Sequence, residues 1–282
     1  MLRKKKYEIN GSSERLSLCF RTFGADVELI SNEKRLLDDA FAVASRSLLG
    51  NISLAEEHIS DQRQRFELLR TGNRYYRVLL NGEQISSGPT RWKFLKFFDG
   101  LLRVTVGEHA PNLVFLHSGV VAWKGKAILL PANSFDGKST LVTELVKLGA
   151  VYYSDEFAII DEDGNIHPFA RPINRRTDDG RFVPYEISLA DLDASVGEVP
   201  IKCGVLFFTK FVKGSRWQPR IISKGEALLE LIAFTLPIRV NPEFSLLVLN
   251  KLVDDAILLS GRRSEAKLSA IRLLDLIDKS EK

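Results

Sequence analysis

Hydrophobic and polar positions in the first hundred residues change period several times, and these changes predict an α+β region. Short apolar runs at 16–20 and 26–30 predict strands. Residues 32–49 carry apolar side chains in steps of four, three and four, the spacing that lines one face of a helix. The runs 65–69 and 75–80 flank a glycine-containing turn and predict a hairpin.

After residue 112 the pattern changes to short runs that are apolar at every position. The run at 127–130 is typical of a buried central strand. Residues 139–148 have helical spacing, and the run at 151–154 predicts a second strand. Strand, helix and strand in this order predict a βαβ unit and an α/β fold class. The remaining predicted elements are strands at 113–116, 120–123, 203–208 and 216–222, and helices at 89–107, 224–234 and 264–278.

The 282 residues are enough for one large domain or two modest ones. The change in pattern predicts two parts, an α+β region over 1–110 and an α/β domain over 111–282.

Composition narrows the functional class. Hydrophobic residues make up 45% and charged residues 27%, as in soluble globular proteins. A net charge of +4 and the lack of a basic-aromatic motif give no reason to expect nucleic acid as a partner. Cys19 and Cys203 lack metal-ligand spacing and are expected to be free thiols. With no secretory signal and no apolar run long enough to span a bilayer, we expect a cytoplasmic protein.

A candidate phosphate loop joins the predicted strand 127–130 to the helix after it. The pattern is Gly, four residues, Gly-Lys and Ser or Thr, and only the first position departs from it, because Ala132 replaces glycine. Main-chain amides of 134–139 are expected to bind phosphate, Lys138 to reach the β- and γ-phosphates, and Ser139 to bind Mg²⁺. The expected nucleotide-binding residues are Asn133, Ser134, Phe135, Asp136, Gly137, Lys138, Ser139 and Thr140.

Two adjacent acids follow the next predicted strand. Asp155 stands seventeen residues after Lys138, and Glu156 comes next. If this strand neighbours the first, both carboxylates emerge beside the terminal phosphate. One can then hold Mg²⁺ while the other accepts a proton from an attacking hydroxyl. A solvated turn or a helix-capping acid is the alternative, and the division of roles stays open because neighbouring acids titrate as a pair.

Three segments together resemble the C-terminal catalytic domain of HPr kinase/phosphorylase and, more closely, the HPr-kinase-related proteins of bacterial gene clusters. They are His117-Ser118-Gly119-Val120-Val121, residues 127–140 and residues 149–160. The resemblance is clear over about 113–175 and fainter to about 240. It implies that 111–282 form a catalytic domain with a P-loop core similar to HPr kinase and PEP carboxykinase, with 1–110 for substrate docking or regulation. It gives Asp155 the catalytic acid/base position, Glu156 the second acidic position and His117 a position near the reacting phosphate.

Three functions follow from these expectations. The first is an HPr-kinase-like kinase that uses ATP or GTP with Mg²⁺ to phosphorylate a hydroxyl of a protein, a peptide or a small molecule. The second is a nucleotide-binding regulatory ATPase or assembly module with little or no kinase activity. The third is a small-metabolite kinase, although those enzymes usually carry the loop near the N-terminus.

The acceptor and the oligomeric state are open, with a homo-oligomer possible. A basic group after the acids could clamp phosphate or an acidic substrate, or could form a solvated loop. Its members are Arg171, Arg175, Arg176 and Arg181.

Overall fold

A computed structural model describes residues 8–10, 15–55, 60–72, 74–133, 136–177 and 183–280. The chain divides into two compact units, Met1–Pro111 and Asn112–Lys282. Each unit has its own buried apolar clusters. None of the helices in these ranges has both the length and the apolar character needed to cross a membrane.

The first unit is a mainly antiparallel sheet with two described helices. Along the sheet the order is β1-β2-β3-β5-β6-β7, and β4 pairs with β2. The predicted strands, the first helix and the hairpin are confirmed. The strands are β1 (Glu8–Asn10), β2 (Arg15–Thr22), β3 (Ala25–Ser31), β4 (Ser53–Leu54), β5 (Gln64–Thr71), β6 (Tyr75–Leu80) and β7 (Glu83–Gly88), and the helices are α1 (Lys34–Ser47) and α2 (Arg91–His109).

The core of this unit lies between the sheet and its helices. Val27 and Leu29 of β3 point to the same face, because side chains two apart share a face of a strand, and both are fully buried. Leu37 and Ala44 of α1 and Phe98 of α2 belong to the same cluster. The helical spacing read from the sequence therefore corresponds to the face that packs on the sheet.

The second unit is a mixed α/β structure with its own sheet. Its strands are β8 (Leu113–Trp123), β9 (Lys126–Pro131), β10 (Val151–Ser154), β11 (Phe157–Asp161), β12 (Asn165–His167), β13 (Ile173–Arg176), β14 (Pro184–Ile187), β15 (Ile201–Phe211), β16 (Arg220–Ile221) and β17 (Ile257–Arg263). Its helices are α3 (Lys138–Lys147), α4 (Lys224–Ile232), α5 (Pro242–Val253) and α6 (Ala266–Ser280), with 3₁₀ turns at Ala190–Leu192 and Leu236–Arg239.

Strand β9 is buried on both faces, as its continuous apolar run predicts. Ala127 and Leu129 belong to the cluster that includes α4 and α5, whereas Ile128 and Leu130 belong to the cluster that includes α3 and α6. Helices therefore cover the sheet on both sides, which is why β9 has no polar position between its ends.

The two parallel strands of the predicted βαβ unit, β9 and β10, are not adjacent in the sheet. Strand β8 pairs antiparallel with β9 on one side and with β10 on the other, so β9 and β10 run parallel with β8 between them. The condition set above, that the strand at 151–154 neighbours the loop strand, is therefore not met. Lys124 and Gly125, both with positive φ, form the hairpin turn after β8. The turn brings β9 back antiparallel along β8, so β8 is the direct neighbour of the loop strand.

The later part of the chain also departs from the sequence pattern. The predicted strand 216–222 is reduced to β16, which pairs with β17 and not with β15. Strand β17, helix α5 and the β13–β14 hairpin were not predicted. Strand β17 lies parallel to β15, which in turn lies parallel to β9. The carboxyl ends of these parallel strands therefore point in one direction.

Candidate functional site

The centre of the candidate site is the middle of β8. Ser118 lies opposite Pro131, the last residue of β9, and its main-chain N–H donates to the carbonyl oxygen of Glu156 at 3.2 Å. The end of β9 and the link between β10 and β11 therefore meet on opposite edges of the same strand. The loop and the two acids come together through β8, although their own strands are not neighbours.

The first residue of the loop carries no left-handed strain. Ala132 is buried and does not occur among the described residues with positive φ. Alanine can therefore replace the expected glycine without the backbone penalty that a positive φ would impose. Expected residues Ser134 and Phe135 lie outside the described residues.

Asn133 and Asp136 form a turn in the loop. The Asp136 amide donates to the Asn133 carbonyl oxygen at 3.2 Å, and the Asn133 amide donates to Oδ2 of Asp136 at 3.1 Å. The turn therefore uses the Asp136 amide, which is one of the amides expected to bind phosphate. The exposed Asn133 and the half-buried Asp136 border the helix start.

Helix α3 begins directly after Gly137, which is its N-cap with a φ of 76°. Glycine adopts this conformation without strain and has no side chain to cap the first-turn amides. These amides, together with the helix dipole, favour an anion in front of the helix. Lys138, Ser139 and Thr140 all lie in this first turn.

Lys138 is held in a buried position against β8. Its side chain is 8% exposed, and its Nζ lies 3.0 Å from Nε2 of His117. Burial, and then the charge of Lys138, lower the pKa of His117 to about 4. At neutral pH the ring is therefore uncharged, and its Nε2 accepts a hydrogen bond from the lysine ammonium.

Asp155 is the most perturbed acid near the loop. It is 8% exposed, and burial raises its pKa to about 7, against the lowering effects of the Lys138 charge and a hydrogen bond with Ser139. Its Oδ1 has no hydrogen-bond partner among the described residues. We call His117, Lys138, Ser139 and Asp155 the acid–lysine cluster.

Glu156 has a different environment from Asp155. Its Oε2 accepts a hydrogen bond from Nη1 of Arg171 at 3.2 Å, and the two side chains form a salt bridge. Both carboxylates help to keep Lys138 charged, because their negative charge opposes the lowering of its pKa by burial. The two neighbouring acids are therefore not equivalent.

The oxygen atoms in this region suit a hard cation. Ser139 and Asp155 offer a hydroxyl and a carboxylate, and the unpartnered Oδ1 of Asp155 is a further acceptor. The described residues contain no group of three or more His, Cys, Asp or Glu side chains placed to hold a metal. Mg²⁺ does not require such a group, because it commonly uses one or two carboxylates together with substrate phosphates.

Two residues that the sequence analysis missed hold the other side of the loop. Nη2 of Arg263 donates to the carbonyl oxygens of Gly137 and Asp136 at 2.6 and 3.2 Å, and the side chain is 1% exposed. The Phe211 amide also donates to the Asp136 carbonyl, at 3.2 Å. Arg263 is the last residue of β17, and Phe211 is the last residue of β15. Because ligands bind at the carboxyl ends of parallel strands, knowledge of the strand order would have pointed to both residues.

Of the four arginines in the basic group, Arg171 contacts an acid of the site. Arg171 reaches Glu156, and the backbone of Asn174 in β13 hydrogen-bonds with Asp155. Arg175 lies opposite Tyr185 in the β13–β14 hairpin, so the expected loop contains a strand. Arg181 and the side chain of Arg176 lie outside the described residues.

The sequence was compared with models of protein families and with curated proteins, and neither comparison gave a match.

Proposed function

We propose that this protein is an HPr-kinase-like phosphotransferase that moves the terminal phosphoryl group of ATP or GTP to a hydroxyl of a protein, a peptide or a small molecule. The observation that carries the proposal is the buried Asp155 carboxyl, which has a pKa of about 7 and lies beside Lys138 and Ser139 at the start of α3. Perturbed acids of this kind are concentrated at catalytic sites.

In this proposal Lys138 and the first-turn amides of α3 bind the phosphate oxygens. Gly119 supports the lysine, because its missing side chain lets the Lys138 stem lie against β8. The hydrogen bond that the ammonium group donates to Nε2 of His117 fixes its direction. Such positioning and charge neutralisation supply most of the catalysis in phosphoryl transfer.

Asp155 acts as the general base. The acceptor oxygen forms a bond to the terminal phosphorus, the bond from that phosphorus to the nucleoside diphosphate oxygen breaks, and the hydroxyl proton moves to the Asp155 carboxylate. A base with a pKa near the working pH combines a large ionised fraction with good proton affinity. Ser139 and Asp155 would hold Mg²⁺ together with the phosphates, and the ion would supply positive charge to the phosphate oxygens.

The kinase is tested by incubating the protein with γ-labelled ATP and Mg²⁺ and a fractionated cell lysate. The label should move to an acceptor in the protein or small-molecule fraction. Asp155→Asn should reduce transfer at least about 100-fold, because it removes the base, while nucleotide binding remains.

Asp163→Asn is the matched control, since the Asp163 side chain is 72% exposed. It should transfer label at the wild-type rate. Nucleotide binding without labelled product from any fraction would contradict the kinase and favour the regulatory module. Equal transfer by wild type and Asp155→Asn would exclude Asp155 as the base.

A further inference from the structure

The loop lies between two chemically different surroundings. On one side Nζ of Lys138 is 3.0 Å from His117, and Ser139 hydrogen-bonds with Asp155. On the other side the carbonyl oxygens of Asp136 and Gly137 accept hydrogen bonds from Arg263 and from the Phe211 amide. Among the described residues, the acid–lysine cluster therefore lies on one side of the loop, and Arg263 and Phe211 lie on the other.

The second side is formed by the carboxyl ends of parallel strands. Phe211 ends β15 and Arg263 ends β17, and both strands run parallel to β9, which leads into the loop. In open α/β sheets, ligands bind outside the carboxyl ends of the strands. The ends of β15 and β17 thus extend the candidate site away from the acid–lysine cluster.

Phe211 offers an accessible aromatic surface at this position. The residue is 40% exposed, although its neighbours Phe207 and Phe208 on the same strand are buried. A Cβ placed on Gly137 would lie 3.5 Å from the Cβ of Phe211, so the phenylalanine directly borders the helix start.

Arg263 holds the Phe211 ring in place. The guanidinium carbon lies 5.8 Å from the ring centroid, within the range of a cation–π contact. The same guanidinium is buried and bonded to the loop carbonyls, and its Nε has no hydrogen-bond partner among the described residues. A fixed cation behind an exposed ring gives a rigid surface on which an aromatic ligand can stack.

We infer that the nucleotide binds with its terminal phosphate at Asp155 and its aromatic base stacked on Phe211, with Arg263 as the residue that positions this ring. The inference rests on the proposed function, because it needs a nucleotide in the loop. Lys138 and the buried Asp155 carboxyl, whose Oδ1 has no hydrogen-bond partner among the described residues, mark the phosphate end, and the exposed aromatic ring on the other side of the loop marks the base end.

Calorimetric titration with Mg²⁺-ATP and with Mg²⁺-tripolyphosphate, which lacks a base, tests this orientation. Phe211→Ala should weaken ATP binding roughly 10-fold, because it removes one base–aromatic stack. It should leave tripolyphosphate affinity unchanged. Phe211→Tyr should keep the wild-type ATP affinity, since the ring remains.

Phe97→Ala is the matched control, because Phe97 is 41% exposed on α2 of the first unit. It should change neither affinity. Phe211→Leu keeps an apolar side chain at the strand end and should show the same selective loss as Phe211→Ala, so the test remains available if the alanine variant fails to fold.

Equal weakening of both ligands by Phe211→Ala or Phe211→Leu would give Phe211 a structural role and overturn the inference. Unchanged ATP affinity in these variants would also overturn it. If the wild-type protein binds neither ligand, the proposed function itself fails, and the base position fails with it. Binding of tripolyphosphate at least as tight as ATP binding would contradict the base site alone.

Discussion

At the residue scale, the proposed function depends on ionisable groups whose pKa values are shifted by burial. Lys138 and Asp155 are both 8% exposed. Burial lowers the pKa of Lys138 and raises the pKa of Asp155, so it favours the neutral form of each group. Each charge opposes the shift of the other, which makes the two groups depend on one another. Isolated buried charges destabilise a fold, so a pair kept at a helix start indicates a function.

The pKa of Asp155 gives a prediction that needs no acceptor. In ¹³C NMR of protein labelled at the aspartate carboxyls, one signal should titrate near pH 7, and it should be missing from Asp155→Asn. Lys138→Met should move this midpoint to higher pH, because the lysine charge favours the ionised acid. If every aspartate signal titrated below pH 5, the proposed base would be wrong.

The same shift has a defined effect on stability. The folded-state pKa of Asp155 is raised from 3.8 to about 7, so the folded protein holds this proton where the unfolded chain has lost it. The contribution of this group to stability is therefore fully present below pH 3.8 and is lost as the pH rises to about 7. As the proposed base, Asp155 would act in the pH range where its ionisation lowers the stability of the fold.

The sequence predicts some of these residues and not others, for a physical reason. Lys138, Ser139 and Asp155 follow local patterns, namely a strand–loop–helix motif and an acid after the next strand. Arg263 is 126 positions away from Gly137, whose carbonyl it binds. Local periodicity carries no information about such a contact, because only the order of the strands in the sheet creates it.

At the element scale, the site depends on how closely α3 approaches β8. A Cβ on Gly119 would lie 2.6 Å from Cγ2 of Val142 and 3.2 Å from Cγ of Lys138. The helix can therefore lie directly on the strand only if residue 119 is glycine. This contact fixes the height of the Lys138 stem above the sheet.

Gly119→Ala should lower the free energy of unfolding by about 1–3 kcal/mol, the usual cost of overpacking, and should weaken nucleotide binding because Lys138 is displaced. Urea unfolding and calorimetry measure the two effects. Gly225→Ala is the matched control: this glycine lies in α4, and an added Cβ would have no neighbour within 4 Å. Equal unfolding midpoints for both variants and the wild type would contradict the packing argument.

The elements themselves were predictable where their patterns were strong. Strand β9, helix α3 and strand β10 follow the expected order, because continuous apolar runs and helical spacing are local properties. The insertion of β8 between β9 and β10 was not predictable, since several pairings satisfy the same apolar pattern. Strand β17 was missed because its apolar run ends at Leu259, and the last four residues of the strand, Ser260, Gly261, Arg262 and Arg263, are not apolar.

At the scale of the whole molecule, the two units have separate cores. The buried cluster of the first unit lies within residues 18–106, and the clusters of the second lie within 114–277. All residues of the acid–lysine cluster, together with Phe211 and Arg263, belong to the second unit. The proposed chemistry is thus a property of this unit, and docking of the acceptor by the first unit remains a prediction.

The central claim is that the loop and the acid–lysine cluster bind a nucleoside triphosphate. The test is calorimetric titration of the 282-residue protein with ATP in the presence of Mg²⁺, with Lys138→Ala beside the wild type. We expect the wild type to bind one ATP per chain with saturation. Lys138→Ala should lose affinity at least about tenfold, in keeping with the removal of a charge-assisted contact. No heat of binding from the wild type, or equal affinity in both proteins, would contradict it.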